Sequence, residues 1–246
     1  YTYCNNNPIM FVDPSGLAIT AKEGAAISDH IYTHTQFDET DELIVKIDGK
    51  PSDLMLIDIW YGRESMVMGI YIRFDENHNW EDPLEYIISF RGSILELSVE
   101  ALNVWKNNVE QSISSKSADI WDAMNCSSGF IKSHPNYEIT FTGHSKGGAE
   151  ALIAAVYNNK DAKVYNSAKP NFKAYNLVPS AYTGKARSYV VTGEIINDKF
   201  GEVAVGQTIY LPTQVPINSW TSDAWNQRIE NHKMKAMKSA LKEAGY

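Results

Sequence analysis

Gly143-His144-Ser145-Lys146-Gly147 is the stretch of this chain with the most chemical content. A glycine two positions either side of a serine lets a strand turn sharply into a helix, because a side chain at either place would collide with the chain opposite. Such a turn lifts the Ser145 hydroxyl above a sheet and sets it at a helix N-terminus, whose N–H groups offer positive potential to an oxyanion. The chemistry that suits this arrangement is nucleophilic attack on a carbonyl. A serine hydroxyl is a weak nucleophile at neutral pH, so it needs an adjacent base, and the base needs an acid to orient it. The oxyanion needs two backbone donors. One is the N–H of the residue after the nucleophile, Lys146, and the other comes from an earlier loop. Residues 87–93 supply a strand that ends in a glycine turn, Arg91-Gly92-Ser93.

In α/β-hydrolases, which use this turn, the triad runs along the chain as Ser, then Asp or Glu, then His. Of the six histidines, His30, His34, His78, His134, His144 and His232, only His232 follows Ser145, so chain order makes it the base. His144 belongs to the turn itself and is expected to pack beneath it, with its side chain away from the nucleophile. For the acid, a strand over 188–196 ends in Gly193-Glu194-Ile195-Ile196-Asn197-Asp198. Either Glu194 or Asp198 can reach a histidine on a following loop. Asp223 is a third choice, and Asp161 comes too early, before a strand rather than after one.

The elements that must position these residues can be read from periodicity and punctuation. Helical patterns cover 20–32, 99–113, 117–133, 148–157 and about 223–244; strand-like segments cover 54–61, 66–74, 86–90, 137–142, 162–166 and 188–196. Strand, sharp turn and helix follow one another at 137–157, and alternation of strands with helices implies β-α-β units around a sheet covered on both faces. The acidic run Asp38, Glu39, Asp41, Glu42 lacks EF-hand spacing and its glycine, and reads as a solvated surface with no metal. Trp105-Lys106-Asn107-Asn108 reads as a helix face near the mouth of the site. Trp220, Trp225, Tyr210 and Leu211 read as core, or alternatively as an acyl-binding wall.

Composition narrows the function. The chain has 246 residues with 22 Lys plus Arg against 30 Asp plus Glu, a formal charge of −8. That balance, with no basic run, argues against nucleic acid, whose binders rely on a basic face. The longest apolar stretch near the middle, 151–157, is far below the roughly 18 to 20 residues that cross a bilayer. The first ten residues lack the layout of a signal peptide, so export is expected to use another route or an upstream region. Cys4 and Cys126 stand outside any CxxC or His-rich cluster and read as ordinary thiols.

Two resemblances sharpen this reading. Phe90-Arg91-Gly92-Ser93, Thr142 through Gly148, Val190-Val191-Thr192-Gly193-Glu194-Ile195-Ile196 and His232 occur in an order that resembles the fungal-type, class 3 lipases over about residues 85–241. The resemblance implies an α/β-hydrolase fold with a central, mostly parallel sheet and helices on both faces, no cofactor, and a lipase or A1-like phospholipase acting on membrane lipids. It implies Ser145 as nucleophile, His232 as base, and Ser93 and Lys146 at the oxyanion positions. The family's catalytic Asp falls on Glu194, a departure that leaves Glu194 and Asp198 both open. At Lys146 these lipases usually have an apolar residue; a solvated lysine is the commoner explanation, and attraction of a phosphate head group the alternative. The same scaffold serves thioesterases, acyltransferases and peptidases, and an elbow that had lost activity would leave a binding module.

The second resemblance lies at the other end. Tyr1-Thr2-Tyr3-Cys4-Asn5-Asn6-Asn7-Pro8, followed by Asp13-Pro14-Ser15-Gly16-Leu17, resembles the end of the core of Rhs and YD-repeat proteins. It implies that 1–17 close a shell and that 18–246 are a variable C-terminal toxin, released by self-cleavage after Leu17 with Asp13 taking part. The implied role is an antibacterial effector acting at the membrane or periplasm of a target bacterium. Its partners would be phospholipid, the Rhs shell, a type VI or similar secretion machinery, and a cognate immunity protein.

Overall fold

The computed structural model describes residues 19–34, 43–75, 82–93, 117–200, 205–218 and 223–246, with the side chains of 198–200 excepted. Eight strands form one sheet in chain order: β1 (Ile44–Ile47), β2 (Lys50–Tyr61), β3 (Val67–Arg73), β4 (Glu85–Phe90), β5 (Ile139–His144), β6 (Asp161–Tyr165), β7 (Ala186–Val191) and β8 (Gln207–Leu211). β1 to β4 are an antiparallel meander. From β4 onward each neighbour is parallel. Parallel neighbours need crossovers: α2 (Ala118–Ser133) joins β4 to β5, α3 (Lys146–Asn158) joins β5 to β6, two 3-10 turns (Phe172–Tyr175 and Pro179–Ala181) lie between β6 and β7, and α4 (Ile195–Phe200) lies between β7 and β8. α1 (Ala21–His30) precedes the sheet, and α5 (Ala224–His232) and α6 (Met234–Glu243) follow it.

Strand side chains alternate between faces, and the two faces build separate cores. Met68, Ile70 and Ile72 of β3 with Ile88 and Phe90 of β4 pack against Ala123 and Met124 of α2 and Leu152 of α3. Tyr71 and Ile87, one residue out of phase, join Ile27 and Ile31 at the end of α1. Tyr165 and Tyr189 meet Ala25 of α1 and Met237 and Leu241 of α6. This is the α/β sandwich expected, with helices on both faces.

Two devices hold α1, and hence the residues that follow it, against the sheet. Thr20 and Glu23 form a capping box, each side chain taking the other's backbone N–H. Glu23 also reaches Arg73 of β3 at 3.1 Å, while Ser28 and Thr142 share a buried hydroxyl contact of 2.9 Å.

Several sequence boundaries move. The strand read over 188–196 stops at Val191, because Gly193 (φ 81°) makes a turn and a short helix starts at Ile195. The closing helix is two helices, broken where Lys233 adopts extended backbone (ψ 149°). β1 and β8 lie in stretches read as loop. β1 and β2 are joined by Asp48-Gly49, both at positive φ as a type I′ hairpin turn requires. The helix expected over 99–113 lies outside the described residues. Among the described residues, no helix is long and apolar enough to cross a membrane.

Candidate active site

The strand-turn-helix serine is built as its glycines predict. β5 ends at His144, α3 starts at Lys146, and Ser145 between them has φ 59° and ψ −125°, a conformation that costs a non-glycine residue of order 1–3 kcal/mol. A Cβ on Gly143 would run into the Gly147 carbonyl, and one on Gly147 into the Phe90 carbonyl of β4. The turn is locked by three bonds: Ser145 N–H donates to Tyr165 O at 3.2 Å, and Ser145 O accepts from Gly148 at 3.1 Å and Ala168 at 2.9 Å.

The structure brings His232 and Glu194 together. His232 is the last residue of α5, and its Nδ1 lies 2.6 Å from Glu194 Oε2, both side chains being almost fully buried. Glu194 caps α4: its carboxylate accepts the backbone N–H of Ile196 at 2.9 Å and that of Asn197. An oxygen that already accepts a backbone N–H accepts from the ring as well, so Nδ1 carries the proton and Nε2 is left as the basic nitrogen. Asp198 is in α4, but its side chain lies outside the described residues. Asp223 is exposed just ahead of α5.

A cavity of about 210 Å³ opens on this site, lined by Ser145 and His232 together with Tyr32, Ser93, Asp29 and Lys233. The Ser145 Oγ is buried and makes no hydrogen bond among the described residues, His232 included. Such contacts are often loose before substrate arrives. A larger cavity of about 420 Å³, between α1, β1 and α6, contains none of the candidate site residues.

His144 does more than fill space under the turn. Its Nε2 lies 2.7 Å from the His232 carbonyl, an acceptor, so Nε2 carries the proton; Nδ1 then accepts from the Tyr32 hydroxyl at 2.8 Å. Burial, with the neighbouring His232 adding to it, pushes the His144 pKa down to about 3, so the ring is neutral. The same His232 carbonyl accepts from Asn166 Nδ2 at 3.0 Å, and Asn166 (φ 41°) takes the Val191 N–H on its own oxygen at 2.9 Å. Thus residues at the ends of α1, β5, β6 and β7 converge on the backbone carbonyl of His232. Sequence reading missed Tyr32 and Asn166, since nothing local marks them.

Lys146 begins α3, so its N–H has no intrahelical carbonyl and is available at the turn. Ser93 lines the same cavity. The Lys146 side chain, however, is not on the surface: it is 6% exposed and bonds two buried carboxylates, Asp119 at 2.7 Å and Glu150 at 2.9 Å. It is not among the residues that line the cavity on which Ser145 opens. Arg91 braces its loop through the main chain, with N–H to Val67 O at 3.0 Å. Leu211 is core and Trp225 packs beside Ile195 and Ile229, whereas Tyr210 is exposed. Asp13, Leu17, residues 105–108 and Trp220 lie outside the described residues.

Comparison with known proteins bears on the fold and the family. The lipase–propeptide complex of Rhizomucor miehei superposes with a TM-score of 0.51 at 16% identity, covering 86% of this chain and 76% of that one. A triacylglycerol lipase from Penicillium expansum matches at 13% identity and TM-score 0.49, with 82% of each chain covered. At 16% identity the likeness to the Rhizomucor lipase shows the α/β-hydrolase fold alone. No curated protein sequence matches the chain. The model of the Tle-like phospholipase domain, of the phospholipase-like family, matches residues 23–208, which hold the elbow, both oxyanion candidates and Glu194. That span is most of the chain, and the chain belongs to the Tle-like phospholipase domain family.

Proposed function

We propose that the protein hydrolyses ester bonds of membrane phospholipids, with A1-like specificity, through Ser145, His232 and Glu194. His232 Nε2 takes the Ser145 proton as Oγ attacks the ester carbonyl, and Glu194 holds the imidazole tautomer and its developing charge. The N–H groups of Lys146 and Ser93 receive the oxyanion, His232 then protonates the leaving alcohol, and water clears the acyl-enzyme by the same route. The observation that carries this reading is the buried 2.6 Å contact of His232 Nδ1 with Glu194, His232 lining the same cavity as Ser145. The family supports lipid as the substrate class.

Positional specificity is tested with a phospholipid carrying different acyl chains at its two glycerol positions, the freed acid being identified by mass spectrometry. Release of the sn-1 chain is expected. Release of the sn-2 chain alone would replace the A1 assignment.

The biological setting follows from residues 1–17. In this reading the domain is an effector toxin carried by an Rhs shell, freed by cleavage after Leu17 with the help of Asp13, and delivered by secretion machinery to the membrane or periplasm of a target bacterium. A producer of such an enzyme needs an immunity protein, and covering the mouth around Ser145 is the simplest block. A fluorophosphonate probe tests this: Ser145 in the purified complex should label far more slowly than in the free toxin, and equal labelling rates would rule out occlusion.

A further inference from the structure

Beneath the elbow lies a buried ion cluster that the proposed chemistry does not use. Lys146 Nζ bonds Asp119 Oδ2 at 2.7 Å, Glu150 Oε1 at 2.9 Å and Ser65 Oγ at 3.1 Å, and the three charged side chains are 8% exposed or less. Burial alone would lower the Lys146 pKa, but Glu150 and Asp119 outweigh it and hold the ammonium above its ordinary value. Burial likewise works to raise Asp119, and Lys146 and Ser65 bring it below the usual carboxylate range. Both ions are therefore charged.

Removing such ions from water carries a free-energy cost that apolar side chains of similar size avoid, so stability alone does not account for the cluster. Its connections suggest what it does. Asp119 Oδ1 accepts the N–H of Ser65 at 2.8 Å and of Met66 at 2.9 Å, and Oδ2 accepts the Ser65 hydroxyl at 2.6 Å. The next residue, Val67, accepts the Arg91 N–H at 3.0 Å, two positions before Ser93. A continuous path thus runs from the Lys146 side chain through Asp119 and the start of β3 to the Ser93 loop. Glu150, one turn into α3, is so buried that its pKa is pushed up to about 7, against the pull of the Lys146 charge beside it and, more weakly, that of Arg91.

We propose that Lys146, Asp119 and Glu150 form a positioning device that fixes the spacing of the two oxyanion donors, the N–H groups of Lys146 and Ser93. This rests on the reading of those two groups given above. In an apolar version of the turn α3 would still pack on the sheet and the β4–β5 pairing would remain, but the side-chain tie from its first residue to the start of β3 would be lost.

The test uses a soluble p-nitrophenyl ester, so that it does not depend on lipid. The triple variant Lys146→Met, Asp119→Asn, Glu150→Gln removes the Lys146–Asp119 ion pair together with the carboxyl of Glu150, which burial pushes up to about 7, so that no member of the cluster is left without its partner. It is expected to melt cooperatively, with kcat lowered about 10- to 100-fold and KM unchanged, the pattern of a transition-state interaction held slightly out of place. Ser65→Ala, at an exposed position, removes one tether and should lower kcat by a smaller factor, again with KM unchanged. A folded triple variant with wild-type kcat overturns the proposal; if that variant does not fold, an unchanged kcat in Ser65→Ala does so. A wild type that cleaves the ester but not phospholipid vesicles would remove the lipid assignment and leave the positioning result standing. Equal ester cleavage by Ser145→Ala would sink the active-site reading and this proposal with it.

Discussion

At the scale of single residues, the site divides into groups that do chemistry and groups that hold them. His232→Ala should abolish ester hydrolysis, and Glu194→Gln should lower it by about 10⁴-fold, because an orienting acid that is lost leaves the base in the wrong tautomer. Asp198→Asn should stay near wild type; kinetics in the reverse order would move the acid to Asp198. His144 belongs to the holding group, and its pKa near 3 has a thermodynamic consequence. Because its folded pKa lies below the unfolded value near 6.5, the unfolded chain binds more protons between those limits. The stability it contributes is therefore present above about pH 6.5 and lost as pH falls toward 3. In His144→Gln the fall in Tm between pH 7 and pH 4 should be shallower than in wild type, and parallel curves would contradict that assignment. The sharp turn at Ser145 was legible in the sequence because its glycines are local, and chain order alone singled out His232, which lines the same cavity. The burial of Lys146 was not, since its partners Asp119 and Ser65 come from elements far along the chain and only the fold brings them together.

At the scale of elements, the strongest constraint is the approach of α3 to β4. Gly147→Ala places a Cβ against the Phe90 carbonyl, which as backbone cannot swing aside, and should cost about 1–3 kcal/mol by urea denaturation. Wild-type stability in that variant would mean the turn is looser than its geometry requires. The central strands β3, β4 and β5 were readable because they are apolar, β-branched and bounded by turn residues. The edge strands β1 and β8 were not, because edge positions carry mixed burial, as in the half-exposed Gln207-Thr208-Ile209-Tyr210. The break at Lys233 had no signal either, there being no glycine or proline at that point. It matters for function, since it lets α5 end on His232 while α6 packs its own apolar face against Tyr165 and Tyr189.

At the scale of the whole molecule, the sheet carries Ser145 to a cavity of about 210 Å³. If residues 1–17 close an Rhs shell, a longer chain that includes the shell should be recovered cut after Leu17, and Asp13→Asn should leave it whole by intact-mass analysis; an uncut wild type would reduce the segment to a linker. The central claim, that this cavity hydrolyses membrane lipid through Ser145, meets its most direct test in phospholipid vesicles. Purified wild type and Ser145→Ala, matched in circular dichroism and melting, are incubated with the vesicles while lysophospholipid and free fatty acid are followed by mass spectrometry. Wild type should release both in equal amounts and Ser145→Ala neither above the buffer control; release by the folded Ser145→Ala protein at the wild-type rate would contradict the account.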